Sequence, residues 1–190
     1  MSDRADHEGP GRDGAAFLSA RAPNGRQRSW VIALGVLGAA VGSTIAIRPE
    51  PLLVWNVSAS APIGLYAVMY RSPLQAGDMA IARVPERFRR LAGERRYVPV
   101  NVPLVKRVAG VPGDSACAFG PAIYVNGVRV AERVAFDGQE RAMPAWHGCR
   151  LLGAGTYFLL NDDPHSFDGR YFGATAGTDI LGSAVPLWTR

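Results

Sequence analysis

The sequence of 190 residues is poor in lysine, cysteine and histidine, and each shortage limits its chemistry. Lysine occurs once, as Lys106, whereas twenty arginines carry the remaining basic charge. The three histidines have no spacing that is typical of a metal site, so no metal or other cofactor is expected. The two cysteines, Cys117 and Cys149, allow one disulfide outside the cytoplasm or two buried thiols inside it.

The chain also lacks repeats, low-complexity segments and long basic runs, although its formal net charge is +5. Its densest basic group, five arginines between residues 87 and 96, lies among Glu86 and Glu94 and is interpreted as a solvated face or loop. Such sparse clustering does not favour a nucleic-acid partner, and none is expected.

The first fifty residues carry a targeting signal. Residues 1–28 have too few large apolar side chains to fold and are predicted to form a disordered cytoplasmic tail. Residues 30–47 contain no charge, and a helix of that length spans about 27 Å, close to the hydrocarbon thickness of a bilayer. We therefore predict one transmembrane helix over residues 29–48.

The charges beside this segment predict its orientation. Arg21, Arg26 and Arg28 precede it, whereas only Arg48 follows it, with Glu50 close behind. The positive-inside rule then places residues 50–190 in the periplasm, anchored to the inner membrane. A cleaved signal peptide is the alternative, because the sequence VSASA could serve as a cleavage site. The length of the apolar run favours a retained anchor.

Beyond residue 50 the pattern changes to short apolar runs separated by Gly, Pro and Asp. Their aromatic and β-branched content predicts strands, at residues 65–70, 78–84, 102–111 and 156–161. The sequence AIYVNGVRV predicts a hairpin over residues 122–130. We predict a mainly β domain, a curled or barrel-like antiparallel sheet tethered by the helix, with residues 51–55 either on the lipid surface or in the core.

The single lysine is a candidate general base. Arginine keeps its proton at any pH that a protein survives, whereas lysine loses its proton when it is buried among apolar groups. Lys106 follows the apolar run VPLV, so burial is expected to lower its pKa. The alternative is a lysine at the end of a strand whose amine reaches water.

The candidate nucleophile is Ser60, since the nearby Pro62 and Gly64 stiffen and turn the backbone that presents it. A serine paired with a neutral lysine forms an acyl-transfer dyad without histidine. The rival base is His165, which lies in a Pro-containing loop.

Three motifs then follow the apolar segment in order: Ser-x-Pro-x-Gly-Leu-Tyr, Lys-Arg-Val-x-Gly-x-Pro-Gly-Asp and Asn-Asp-x-Pro-x-Ser-Phe-Asp-x-Arg-Tyr-Phe-Gly. With the anchor, they resemble the signal peptidase I clan, peptidase family S26, and specifically its conjugative-transfer TraF branch. The resemblance implies that Ser60 is the nucleophile and Lys106 the general base. It also implies that the Ser58 hydroxyl and the Ser60 amide form the oxyanion hole.

The same resemblance assigns supporting roles. Ser166 matches the hydroxyl that holds the lysine amine, and Asp168 and Arg170 match a structural ion pair to which Arg107 is expected to contribute. For a domain outside the cytoplasm it also favours a disulfide, between Cys117 and Cys149.

Leader peptidases differ from this chain at two of these places. They carry Ser-Met-x-Pro-Thr-Leu where this chain has SAPIGLY, and Ser where Gly169 stands. The branch that processes secretory proteins in bulk is therefore the less similar one.

The sequence thus predicts a membrane-bound serine endopeptidase that processes an exported precursor, by resemblance a conjugative pilin, beside the conjugative transfer machinery. A general leader peptidase is one alternative. Two others are a non-catalytic anchored β-domain in a mating or secretion channel, and a DNA-contacting protein that uses the arginines of residues 87–96. A self-cleaving Ser/Lys repressor would need a helical DNA-reading domain where this chain has its apolar segment.

Overall fold

The computed structural model describes residues 24–46, 51–70 and 73–190. Contacts within the chain divide it into two units, residues 1–49 and residues 50–190. Residues 1–23 of the predicted tail and residues 47–48 of the predicted membrane span lie outside the described residues.

In the first unit, helix α1 covers Gly25–Ala46. None of the helices in the described parts of the chain has both the length and the apolarity needed to cross a membrane. The predicted transmembrane helix is therefore not confirmed.

The second unit is mainly β, which confirms that part of the sequence prediction. Helix α2 (Glu86–Glu94) separates its third and fourth strands, and the short helix α3 (Gly169–Phe172) follows its ninth. The strands are β1 (Leu53–Asn56), β2 (Gly64–Met69), β3 (Met79–Ala82), β4 (Leu104–Gly110), β5 (Ser115–Phe119), β6 (Ala122–Val125), β7 (Val128–Glu132), β8 (Gly148–Leu151), β9 (Thr156–Leu160), β10 (Thr175–Ala176) and β11 (Ile180–Thr189).

These strands form two antiparallel sheets. One sheet has the order β1-β2-β11-β3-β4-β9-β10, and the other has the order β7-β6-β5-β8. The strands predicted from apolar runs are confirmed as β2, β3, β4 and β9, with small shifts at their ends. The predicted hairpin is confirmed as β6 and β7, which turn at Asn126 (φ 50°) and Gly127 (φ 78°). Positive φ at both turn residues is what an Asn-Gly hairpin requires.

The sequence did not predict the longest strand, β11, which pairs with β2 on one side and with β3 on the other. Its register with β2 is irregular after Pro186, and its register with β3 is irregular before Gly182. Proline and glycine usually argue against a strand, and here they mark the irregular positions of one.

Helix α2 contains most of the arginine cluster that the sequence predicted as a solvated face or loop. Its inner face carries the buried Ala92 and the ring of Phe88. The centroid of the Phe88 ring lies 6.2 Å from that of the Phe172 ring. Arg87 donates to the Phe172 carbonyl (2.9 Å), and Arg89 pairs with Asp179 (2.5 Å). Part of this basic cluster is therefore engaged within the protein.

Residues 51–55, predicted on the lipid surface or in the core, alternate between two environments because most of them lie on strand β1. Val54 is buried in the core, whereas Leu53 and Trp55 are exposed. The Trp55 ring stacks on Trp188 of β11, with centroids 5.6 Å apart.

In the smaller sheet, Cys117 of β5 and Cys149 of β8 are register partners. A disulfide joins them, so the two cysteines that the resemblance paired are bonded in the structure.

Candidate active site

Lys106 lies in the middle of strand β4, where its register partner on β3 is Ala80. Its side chain is only 3% exposed. The apolar run before it and the two flanking strands bury this position, as the sequence predicts for a desolvated amine.

Arg107 does not join the ion pair of Asp168 and Arg170, so the sequence prediction for this residue was wrong. Its guanidinium lies 3.7 Å from the Asp162 carboxylate, and both side chains are largely exposed. Successive residues of a strand point to opposite faces. Because Lys106 points inward, Arg107 must point toward solvent.

Ser60 lies on the loop between β1 and β2, and the buried Asn56 at the end of β1 holds that loop in place. The Asn56 side-chain amide donates to the carbonyls of Ser58 (3.0 Å), Ala61 (3.1 Å) and Pro62 (3.0 Å). Its side-chain oxygen accepts from the Ser58 amide (3.1 Å). These four bonds fix the backbone that presents Ser60. The sequence analysis did not identify Asn56 as a site residue.

The predicted nucleophile, base and lysine-holding residue meet at one point. Lys106 Nζ lies 3.3 Å from Ser60 Oγ and 2.5 Å from Ser166 Oγ. These three residues come from the β1–β2 loop, strand β4 and the loop between β9 and α3. Within the described residues, no carboxylate forms an ion pair with Lys106.

Asn161 is a site residue that the sequence analysis missed. Its side-chain amide donates to Ser60 Oγ (3.2 Å) and to the Val105 carbonyl (3.0 Å). Its side-chain oxygen accepts from the Arg107 amide (3.1 Å). Asn161 therefore links the nucleophile to strand β4. The available signal was its position as the first residue of the third motif.

Asp168 and Arg170 form the buried ion pair that the resemblance implies. The guanidinium donates to both carboxylate oxygens at 3.0 Å, and both side chains are at most 2% exposed. Asp168 also accepts from the amides of Arg170 and Asn161, at 3.1 Å each. The pair thus fixes the segment that carries both Asn161 and Ser166.

Burial lowers the pKa of Lys106 from 10.5 to about 8, because the interior solvates an ammonium poorly. The charge of Asp168 opposes this shift, that of Arg170 adds to it, and that of Asp163 opposes it. A substantial fraction of the amine is therefore neutral near pH 8 and able to accept a proton.

Ser58 lies beside the nucleophile, as the resemblance implies for an oxyanion hole. Its hydroxyl is 2.9 Å from Ser60 Oγ, and the Ser60 amide donates to it at 3.4 Å. Two donors, a hydroxyl and an amide, are thus adjacent at the point where a scissile carbonyl would approach Ser60.

A cavity of about 370 Å³ is lined by Ser58, Ser60, Lys106 and Ser166, and its remaining wall is mostly apolar. The lining residues beyond the dyad include Trp55, Val98, Val102, Leu104, Met143 and Phe167. His165 also lines the cavity, but its side chain is exposed. Among the described residues, the polar side chains bonded to Ser60 Oγ are Lys106, Ser58 and Asn161, so His165 is not positioned as the base.

Gly169, one of the two departures from leader peptidases, has a packing reason. A Cβ on this residue would lie 2.8 Å from the Leu159 carbonyl oxygen and 2.9 Å from the Phe158 ring. Its own carbonyl accepts from the Trp146 indole (2.9 Å). A serine here would require the β9 backbone to move.

Comparison with known proteins identifies the family of this chain. Residues 26–188 match the signal peptidase family, peptidase S26. The conjugal transfer protein TraF of Agrobacterium fabrum is 31% identical over 144 residues, which cover 70% of this chain and 81% of that protein. A signal peptidase I structure from Enterococcus faecalis is 22% identical, with a TM-score of 0.36, over 60% of this chain and 98% of that one. The chain belongs to the signal peptidase family S26.

Proposed function

We propose that this protein is a serine endopeptidase in which Ser60 is the nucleophile and Lys106 is the general base. The observation that carries the proposal is the placement of one buried amine between two hydroxyls, without a carboxylate partner among the described residues. A lysine that served only as a structural cation would be expected to have such a partner when it is buried.

The dyad works through the neutral amine. Lys106 Nζ takes the Ser60 proton as Oγ bonds to the scissile carbonyl carbon, and the ammonium then protonates the departing amine as the C–N bond breaks. The same amine removes a proton from the water that hydrolyses the acyl-enzyme. Ser166 holds the amine, and Asn161 orients the serine oxygen.

The negative charge on the carbonyl oxygen is stabilised by the Ser58 hydroxyl and the Ser60 amide. In the free protein these two groups bond to each other (3.4 Å), and they turn to the oxyanion when substrate arrives. Removal of one oxyanion-hole donor typically costs roughly 3 kcal/mol of transition-state stabilisation.

The substrate is an exported precursor protein, by preference a conjugative pilin. Support for this choice comes from the 31% identity to a conjugal transfer protein over 144 residues. The components of the conjugative transfer machinery are then the neighbours of the enzyme. The cleavage takes place at the periplasmic face of the inner membrane, where the apolar segment before residue 50 anchors the chain.

An apolar rim beside the site supports this location. Exposed large side chains on or beside β1 and near the end of β11 include Leu52, Leu53, Trp55, Val57, Leu187 and Trp188. Val57 and Trp55 also line the cavity. A rim of this composition lies on the lipid surface and brings the cavity close to a membrane-borne precursor.

The proposal is tested by co-expressing a pilin precursor with the wild-type chain or with Ser60→Ala, followed by intact mass of the pilin. We expect the shortened pilin only with the wild type. Ser183→Ala, on strand β11, is the matched control and should leave processing intact. Processing by Ser60→Ala would favour the non-catalytic β-domain. Cleavage of a secretory precursor in preference to the pilin would favour a general leader peptidase.

A further inference from the structure

The turn that presents Ser166 to Lys106 is closed by Asp163. The Asp163 carboxylate oxygen Oδ1 accepts from the His165 amide (2.8 Å), and its backbone carbonyl accepts from the Ser166 amide (3.0 Å). One residue thus fixes two consecutive amides just before the hydroxyl that lies 2.5 Å from Lys106 Nζ.

Asp163 also brings a negative charge to the cavity. Its half-buried side chain lines the cavity with Lys106 and Ser60. It forms no ion pair within the described residues, in contrast to its neighbour Asp162, which pairs with Arg107 at the exposed surface. Its other carboxylate oxygen, Oδ2, has no hydrogen bond from the described residues.

The other charged groups around Lys106 largely offset one another. Asp168 and Arg170, from the same loop and helix α3, share two hydrogen bonds within their own ion pair. The adjacent Arg107 of strand β4 points to the opposite face. Asp163 is therefore an acidic group at the cavity whose charge no cation in the described residues neutralises.

We propose that Asp163 is a positioning residue of the Ser60/Lys106 dyad, whose turn seats Ser166 against the amine and whose carboxylate stabilises the lysine when it carries the serine proton. The proposal rests on the proposed function, in which Lys106 is the base. It assigns Asp163 a role comparable to that of the carboxylate behind a catalytic histidine.

The direction of the effect follows from Coulomb's law. Burial lowers the pKa of Lys106 to about 8, and the negative charge of Asp163 raises it. Removing that charge lowers the pKa further, so that more of the amine is neutral below pH 8. The same change makes the amine a weaker proton acceptor, which lowers the maximal rate at high pH.

The single lysine makes this measurable without resonance assignment. In the full-length chain in detergent micelles, labelling with lysine enriched in 13C at Cε gives the resonance of Lys106 alone. We expect it to titrate near pH 8 in the wild type, and at least about 0.5 pH unit lower in Asp163→Asn. Asp162→Asn removes the same charge at the next residue, on the exposed surface, and should titrate like the wild type.

Asp163→Asn keeps an oxygen that can accept from the His165 amide, whereas Asp163→Ala removes the charge and the acceptor together. In kcat/KM against pH, Asp163→Asn should move the acidic limb to lower pH and reduce the plateau severalfold. Asp163→Ala should reduce the plateau further, because the turn that places the Ser166 hydroxyl beside Lys106 then loses its side-chain hydrogen bond. An identical Lys106 titration in Asp163→Asn and Asp162→Asn would overturn the proposal, as would a wild-type lysine that titrates near 10.5.

The two proposals fail separately. If the Lys106 titration responds to Asp163→Asn while the wild type cleaves no precursor, the peptidase proposal fails and the electrostatic coupling of Asp163 stands. If the wild type cleaves precursor and the titration does not respond, the role of Asp163 fails alone. The titration comparison needs only Asp163→Asn and Asp162→Asn, so it remains decisive even if Asp163→Ala does not fold.

Discussion

Lys106 and Arg170 are the two most deeply buried cations among the described residues of this domain, and their surroundings differ. Arg170 is 2% exposed and is bonded to both carboxylate oxygens of Asp168. Lys106 is 3% exposed and is bonded to two serine hydroxyls. A paired guanidinium is stable as a cation, whereas an amine among hydroxyls is stable when it is neutral. The first environment suits a structural support and the second suits a base.

The comparison is tested most strongly by Lys106→Met, which removes the amine and keeps an unbranched apolar side chain. We expect processing to fall by about 10² to 10⁴-fold or below detection, because the proposed general base is lost. The free energy of unfolding at pH 7 should not fall, since burying an apolar group avoids the desolvation of a charge. Intact mass and urea unfolding measure the two effects.

A Lys106→Met variant that processes the pilin at the wild-type rate would contradict the assignment of the base. Lys106→Arg is a second control, because it keeps a permanent charge that cannot accept a proton. It should be as inactive as Lys106→Met.

Removing the carboxylate that pairs with Arg170 should lower the stability of the fold. Asp168→Ala leaves Arg170 buried without its carboxylate, and we expect a loss of about 3 to 5 kcal/mol in the free energy of unfolding. Urea unfolding measures it, and Asp162→Ala at the exposed surface is the matched control. If Asp168→Ala has the same free energy of unfolding as the wild type, Arg170 does not depend on its carboxylate partner, and the contrast with Lys106 fails.

The pH dependence separates the two cations directly. Burial lowers the pKa of Lys106 from 10.5 to about 8. The neutral fraction therefore grows as pH rises through 8, and kcat/KM should fall about tenfold for each pH unit well below it, or about a hundredfold from the high-pH plateau to pH 6. A pH profile without a limb near 8 would contradict the neutral-amine mechanism.

The same shift predicts a change in stability. Between about pH 8 and 10.5 the unfolded chain holds the Lys106 proton and the folded chain does not. Raising the pH through this window therefore stabilises the fold. Lys106→Met should lack this part of the pH dependence, which urea unfolding of the two chains in parallel would measure.

A smaller effect is expected from Ser166→Ala, which removes one of the two hydroxyls bonded to the amine. Hydrogen bonds to charged groups contribute about 1.5 to 3 kcal/mol, so we expect kcat/KM to fall by roughly 10 to 100-fold. Activity should return in part with Ser166→Thr, which keeps the hydroxyl. Equal activity in Ser166→Ala and the wild type would show that Ser60 alone positions the lysine.

The smallest effect is expected from Arg107→Ala. Its pair with Asp162 lies at the surface with both side chains largely exposed, and such pairs contribute about 0 to 1 kcal/mol. Processing and the free energy of unfolding should both stay close to the wild type. A loss comparable to that of Asp168→Ala would show that Arg107 does support the site after all.

Much of the secondary structure followed from local pattern. Strand β4 was predicted from its apolar run, and the β6–β7 hairpin from Asn126 and Gly127, because these signals act over a few residues. The period of a strand also implies that Arg107 and Lys106 face opposite ways, which the motif comparison overlooked. Strand β11 was missed because Gly182 and Pro186 interrupt its pattern, and its two partner strands lie far away in the sequence.

The sequence by itself determined the candidate residues, because one lysine behind an apolar run and one serine within a motif leave few choices of base and nucleophile. Only the tertiary structure decided which hydroxyls meet the amine and that Asn161 and Asn56 hold the serine. The reason is physical. A hydrogen bond between Asn161 and Ser60 joins residues 101 positions apart, and no local preference of the chain encodes such a contact until the sheet has formed.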